Sequence, residues 1–243
     1  MTEAEWLVCT DPKPMWVYLH YNGGSFRKLR LLACACLRRI WHLLTDERCR
    51  KAVEVAERDA EGLATEADVF AALDMGRDGW HAQAEAADDG HYSTPLLRAM
   101  PDAGLAAYDA IDADWQCIGN AARAAAYFAA PAERDFAAAL SDPAWVAAND
   151  HESRIQAGLI RCIFGNPFHP RPRLPAALLG WNDGTIPKIA RGIYEERAFD
   201  RLPVLHDALL DAGCDDEAIL SHCRGAGPHV RGCWVIDLIL GKS

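Results

Sequence analysis

Apolar residues recur along most of this chain at the three- and four-residue spacing that lines one face of an α-helix. No segment combines period-two alternation with the β-branched enrichment typical of strands. Helix-start signals divide the pattern: Asp11 precedes Pro12, Thr45 is followed by two acids, and Thr65 stands three residues before Asp68. We therefore predict an all-α protein, a compact irregular bundle of roughly eight to ten helices, judged from typical helix and loop lengths.

Three longer stretches carry most of the helical signal. An apolar and basic run extends from Phe26 to Leu44, an Ala-rich region covers 101–149, and a further helix is predicted from about His151 to Phe164. Alanine has the highest helix propensity, and its small side chain lets neighbouring helices approach closely.

The segment from Asn166 to Pro187 has a different character. It contains five prolines and the turn sequence Trp181-Asn182-Asp183-Gly184. Because each proline removes a backbone donor and disfavours helix in the preceding residue, we predict a Pro-rich irregular strap over about 166–187. Its apolar side chains favour packing against the body. The chain is accordingly expected to be one helical domain, 1–243, or a helical body over 1–165 followed by a C-terminal helical segment over 188–243.

Composition narrows the functional classes. The 243 residues are 51% hydrophobic, which excludes a disordered chain, and carry a formal net charge of −10, which disfavours nucleic acid as a partner. Eight bases against two acids between Arg27 and Lys51 form either a solvated helix face or a stripe for an anionic partner.

The acidic N-terminus lacks the features of a signal peptide and the longest apolar runs are short, so we expect a cytoplasmic protein with no membrane association. In that compartment the nine cysteines do not form a disulfide framework, and most are expected to be buried as small apolar side chains.

The C-terminal block holds the candidate chemistry. We predict a helix from Asp215 through His222 and Cys223, closed by a left-handed Gly225, and a second helix starting at Gly227-Pro228. In that second helix the side chains of His229, Cys233 and Asp237 would lie on one face, at i, i+4 and i+8. Imidazole, thiolate and carboxylate are the ligand types of zinc, so His222, His229, Cys233 and Asp237 form the predicted metal site.

Asp237 also has a purely structural interpretation. It stands in the apolar stretch Trp234–Leu240, where a carboxylate is costly unless it is paired or hydrogen-bonded. A salt bridge to a buried arginine would serve this purpose, and the candidates are Arg38, Arg39, Arg224 and Arg231.

A second helical face repeats the pattern of the first. Cys34, Arg38 and His42 also follow i, i+4, i+8 spacing. If the two faces meet, they form either a polar seam between helices or a reactive cluster. Such a cluster could activate a metal-bound water for hydrolysis, or act without metal as a nucleophile, base and orienting acid.

Three groups of residues together resemble a family of hypothetical proteins abundant in planctomycete bacteria. They are MTEAEWL at 1–7 with CTDP at 9–12 and the CACLRRIWH run at 34–42; FGNPF at 164–168; and ERAFDR at 196–201 with DAGC at 211–214, HCRG at 222–225, GPHVRGCW at 227–234 and Asp237. The resemblance implies a bacterial source, but it implies no particular activity.

Two functions are compatible with these residues. The first is a small-molecule enzyme, a hydrolase of an ester or phosphoester, with His229, Cys233 and Asp237 catalytic, zinc as the possible metal, and Arg231 or Arg38 binding an anion. The alternative is a non-enzymatic helical module that binds a protein partner, in which the same residues are structural.

Overall fold

A computed structural model describes residues 1–112, 114–129 and 141–242. Within these ranges the chain is all-α, as predicted, and contains no strand. The helices are α1 (Glu3–Val8), α2 (Pro12–Tyr21), α3 (Phe26–Arg39), α4 (Glu47–Ala60), α5 (Glu66–Asp89), α6 (Pro95–Asp109), α7 (Trp115–Ala129), α8 (Pro143–Phe164), α9 (Ala176–Glu196), α10 (Leu202–Asp211), α11 (Glu217–Arg224) and α12 (Trp234–Leu240). The described part of the chain thus holds twelve α-helices rather than eight to ten, because α1, α11 and α12 are shorter than the typical helix.

The capping signals in the sequence account for several helix starts. Asp11 accepts a hydrogen bond from the Lys13 N–H, and Thr65 and Asp68 form the reciprocal capping box. One start is displaced: the cap of α4 is Asp46 rather than Thr45, because its carboxylate accepts from the Arg48 N–H.

Two predicted helix boundaries were wrong. The run from Phe26 stops at Arg39 and continues only as a 3-10 turn over Trp41–Leu43. Helix α8 begins at Pro143, eight residues before the predicted His151, because Asp142 caps it by accepting from the Ala144 N–H.

Inter-residue contacts divide the chain into two compact units, Met1–Ala157 and Gly158–Ser243, so α8 from residue 158 onward belongs to the second. In the first unit, α4, α5, α6 and α7 pack in succession and α3 is buried along most of its length. The small residue Gly79 lets α5 approach α4, since a Cβ there would lie 2.8 Å from the Cys49 Sγ.

Ion pairs between half-exposed arginines and buried carboxylates cross the first unit. The carboxylate of Glu57 accepts two hydrogen bonds from Arg38, at 3.0 and 2.8 Å, and that of Glu152 accepts two from Arg39, at 2.7 and 2.9 Å. Both carboxylates are almost fully buried. Paired geometry of this kind offsets the cost of removing the charges from water.

In the second unit, side chains from α8 to α12 form one apolar core. The irregular strap is shorter than predicted, since α9 starts at Ala176. The predicted turn is present inside α9, where Asn182, Asp183 and Gly184 all take left-handed backbone angles. Leu174 and Trp181 pack against the core, as the apolar content of the strap predicted.

Among the described residues, no helix is both long and apolar enough to cross a bilayer. Eight of the nine cysteines are buried, Cys9 being the exception, as expected of small apolar side chains.

Candidate metal centre

Four side chains of the second unit converge on one point: Cys162, His222, His229 and Cys233. One donor atom from each lies within 4.8 Å of the donors of all the others. The Nε2 atom of His222 is 3.1 Å from the Cys233 Sγ, and the Nδ1 atom of His229 is 3.6 Å from the Cys162 Sγ. Two thiols and two imidazoles in this arrangement can hold a metal ion.

Three of the four donors come from the ends of helices. Cys162 lies in the last turn of α8, His222 in the last turn of α11, and Cys233 directly before α12. His229 lies in the connecting segment over 225–233, which has no helical structure. Helix ends are suitable positions because several of them can meet at one place while the helices diverge.

Two glycines make this convergence possible. A Cβ on Gly158 of α8 would lie 3.2 Å from the Pro228 Cγ, so a larger residue would push the connecting segment away from the helix. Gly232 has φ +89°, a left-handed angle that lets the chain reverse just before Cys233.

A hydrogen bond fixes the orientation of His229. Its Nε2 atom lies 3.0 Å from the carbonyl oxygen of Gly225. Since a carbonyl can only accept, Nε2 carries the proton and donates, which leaves the lone pair on Nδ1, the atom that faces Cys162. Metal-bound histidines commonly have their second nitrogen held by a carbonyl in this way.

Packing restricts His222 as well. Its ring meets that of His229 edge-on, with centroids 4.8 Å apart, and lies 5.3 Å from the ring of Trp234. Both histidines are half-buried, whereas Cys162 and Cys233 are buried. The sulfur side of the group therefore lies in the core and the imidazole side lies nearer the surface.

The electrostatics of the group favour an ionised Cys233. Burial alone would raise the pKa of this thiol, but hydrogen bonds with Cys162, His222 and His229 outweigh it and hold the pKa well below its ordinary value. For His229, burial lowers the pKa, yet the hydrogen bonds to Cys233 and Gly225 reverse the sign and leave it raised. Cys223, a neighbour outside the group, has its pKa raised by burial.

The route by which these residues meet differs from the prediction. The expected helix from Gly227-Pro228 does not form, and α12 starts only at Trp234. Gly225 is extended (φ −63°, ψ 141°) rather than left-handed, and Asp216, not Asp215, caps α11. His229 and Cys233 therefore converge through a folded connecting segment and not through helical spacing.

Asp237 lies outside the group of four donors. It is fully buried in α12, and its backbone N–H donates to the Cys233 carbonyl at 2.9 Å. Three of the arginines considered as its partners have other carboxylates: Arg38 pairs with Glu57, Arg39 with Glu152 and Arg224 with Glu217.

The remaining residues named in the sequence prediction make contacts outside the group of four donors. Arg231 donates to the carbonyl of Tyr194 at 3.4 Å and lies over its ring. In the first unit, Arg38 stacks on Trp41 at 3.9 Å, the Cys34 thiol faces the Val53 carbonyl, and the His42 ring meets Phe128 edge-on.

Sequence reasoning missed Cys162. It lies 60 residues before His222 and two residues before the FGNPF motif. The stretch Leu159–Phe164 is apolar except for Arg161, so a cysteine there has the appearance of an ordinary core residue. The adjacent turn at Gly165 marks a helix end, and His222 and Cys233 also lie at helix ends.

No protein-family model, curated protein or solved structure matches this chain.

Proposed function

We propose that residues 158–243 form a zinc-binding unit in which Cys162, His222, His229 and Cys233 hold one structural Zn²⁺. The function that follows is that of a metal-stabilised helical module rather than a hydrolase. The observation that carries this proposal is the donor set itself, two sulfurs and two nitrogens within 4.8 Å of one another.

Two of the donor separations lie near those expected around zinc, and all four donors lie within 4.8 Å of one another. Neighbouring donors on a tetrahedral zinc are about 3.3–3.8 Å apart, given bonds of about 2.3 Å to sulfur and about 2.0 Å to nitrogen. The Cys162–His229 separation of 3.6 Å falls in this range, and the His222–Cys233 separation of 3.1 Å is slightly shorter. Thiolate with imidazole is also the combination that selects zinc over magnesium or calcium.

Two features favour a structural role over hydrolysis. Four protein ligands fill a tetrahedral site, whereas catalytic zinc keeps one position open for water or substrate. Asp237, the residue proposed from sequence as the acid of a catalytic group, is not one of the four donors.

A bound metal would join short helices of the second unit to one another. Helices α11 and α12 contain eight and seven residues, too few to be stable as isolated helices. One ion would join both of them to the end of α8 and to the connecting segment. Its binding free energy would thus contribute directly to folding of this unit.

Metal analysis of the full chain tests the proposal. We expect about one zinc per chain after purification in buffer supplemented with zinc, and Co²⁺ substitution should give the absorption of a tetrahedral site with thiolate ligands. Cys162→Ala should lose the metal. Cys223→Ala is the matched control, since it removes a buried thiol of the same core that is not a donor.

Two results would contradict the proposal. One is zinc content that is equal in wild type and Cys162→Ala. The other is a Co²⁺ spectrum typical of an octahedral site, which would indicate oxygen ligands and an open position, and would return the hydrolase to consideration.

A further inference from the structure

The first unit contains a cavity of about 400 Å³ that the metal centre does not explain. It is bounded by the start of α2, one face of α7 and the first half of α8, all within residues 10–156. This volume is in the range of small-molecule pockets. The chemistry of its lining indicates what kind of molecule it would accept.

A buried amide is part of the lining of this cavity. Gln156 is fully buried, and its Nε2 donates to the Ile118 carbonyl at 3.0 Å. Because that carbonyl can only accept, the amide nitrogen must face it, and the orientation of the side chain is settled. The Oε1 atom then has no hydrogen-bond partner among the described residues. A buried acceptor without a partner is costly, so a donor that reached this oxygen from the cavity would be stabilised by it.

Charged side chains also line the cavity. Lys13 and Arg154 are exposed cations on its lining. Arg123 adds a third positive charge and forms a salt bridge with Asp102, with Nε and Oδ1 3.3 Å apart. Two carboxylates also line it: Asp11, which caps α2, and Asp150. The lining thus carries three cations and two carboxylates, and one of the cations, Arg123, is already paired with Asp102.

An aromatic wall completes the cavity. The indole of Trp115 is half-buried on the lining, and the Lys13 ammonium lies 5.3 Å from its ring centre. Gly119, one turn further along α7, adds no side chain beside this ring. A flat or apolar portion of a ligand can therefore lie against the indole.

We infer that this cavity binds a small organic acid that also carries a hydrogen-bond donor, a hydroxy or amino carboxylate. Its carboxylate would be paired with Arg154 and Lys13, its hydroxyl or ammonium would donate to the Gln156 Oε1, and its apolar part would lie against Trp115. This site is independent of the proposed zinc unit, because every lining residue belongs to the first unit.

Matched pairs of ligands test the inference by calorimetric titration of the full chain. The pairs are L-lactate with propionate, L-malate with succinate, and L-phenyllactate or L-phenylalanine with 3-phenylpropionate. The two members of each pair differ in whether they carry the hydroxyl or ammonium group that can donate a hydrogen bond. We expect at least one donor-bearing member to bind at least about tenfold more tightly than its partner, because a site with an unpaired polar group discriminates strongly against an analogue that cannot satisfy it.

Two variants separate the contacts. Gln156→Met should abolish the discrimination within the pair, so that both members bind alike. Arg154→Met should weaken both members by about tenfold, in line with loss of one charge-assisted hydrogen bond. Arg77→Met, at an exposed arginine that does not line the cavity, is the control and should change neither.

The inference is overturned if no ligand binds at 10 mM (about 3 kcal/mol of binding free energy), if paired ligands bind equally, or if the discrimination survives in Gln156→Met. Should Gln156→Met fail to fold, Arg154→Met decides the matter, since an exposed arginine can be replaced without disturbing the core. Unchanged binding in that variant would then exclude the site.

Discussion

The Nε2 atom of His222 lies 3.1 Å from the Sγ of Cys233, although eleven residues separate them. This contact brings the end of α11 to the start of α12 across a segment without helical structure. The contact between Cys162 and His229 does the same for the end of α8, over a separation of 67 residues. Two thiol–imidazole contacts thus define both the site and the arrangement of these helix ends.

Removal of the proposed zinc should loosen this region locally. We expect that a chelator makes the backbone amides of 217–240 exchange with solvent deuterium faster, because α11 and α12 lose the metal ion that joins them. Peptides from α4 should not change. Hydrogen exchange followed by mass spectrometry measures both regions in one experiment, and equal acceleration in α4 would indicate global destabilisation instead.

Asp237→Asn should retain the metal. The carboxylate lies outside the four-donor group, so zinc content should match wild type, whereas His229→Ala should lose it. Stability should nevertheless fall by about 1–3 kcal/mol, since the side chain is fully buried and the change replaces one of its hydrogen-bond acceptors by a donor. Metal analysis and urea unfolding check the two parts. Loss of zinc in Asp237→Asn to the same extent as in His229→Ala would make Asp237 part of the centre.

The first unit should become less stable as pH rises from 4 to 7 because of Asp109. Burial, with the neighbouring charges of Asp114 and Asp112, raises the pKa of this carboxyl to about 6, against the lowering effect of its hydrogen bond from Asn120. A raised acid pKa means that the folded state holds the proton more tightly than the unfolded state, so ionisation disfavours folding.

Asp109→Asn should therefore stabilise the chain at pH 7 by about 1 kcal/mol, after allowance for partial solvent screening. The gain should shrink towards pH 4, where wild-type Asp109 is protonated. Thermal unfolding at both pH values measures the difference. Glu85→Gln, at an exposed position, is the control, and a gain of the same size at both pH values would rule out Asp109 as the source of the effect.

Two glycine-to-alanine changes should have opposite effects. At Gly119 in α7 the new Cβ would contact the Trp115 ring at 3.4 Å, an ordinary distance, so we expect stabilisation of about 0.5–1 kcal/mol from helix propensity. At Gly79 in α5 it would lie 2.8 Å from the Cys49 Sγ and 3.1 Å from its backbone nitrogen. Overpacking there should cost about 1–3 kcal/mol. Chemical denaturation of both variants tests this, and a stabilising Gly79→Ala would disprove the close packing of α4 and α5.

Arg39→Met should be strongly destabilising. It leaves the carboxylate of Glu152, which is only 5% exposed, without its bidentate partner. We expect a loss of about 3 kcal/mol in the free energy of unfolding, because an unpaired buried charge is costly. Arg77→Met removes an exposed pair with Asp74 and should cost less than about 0.5 kcal/mol. Similar losses in the two variants would show that burial of Glu152 does not matter.

The sequence by itself determined the local features of this protein. The all-α class follows from the spacing of apolar residues, and caps such as Asp11 and Thr65 could be identified because they act over two or three residues. The grouping of His222, His229 and Cys233 was also predicted, although the expected reason, a shared helical face, was wrong for His229.

The tertiary structure decided the rest. Cys162 joins the group only because α8 packs where Gly158 lets Pro228 approach it, and Asp237 is left out because α12 starts at Trp234 rather than at Pro228. The orphaned acceptor of Gln156 likewise depends on its position against Ile118, far away in the chain. Periodicity and capping are short-range and are written in neighbouring residues, whereas the meeting of helix ends depends on the packing of the whole core.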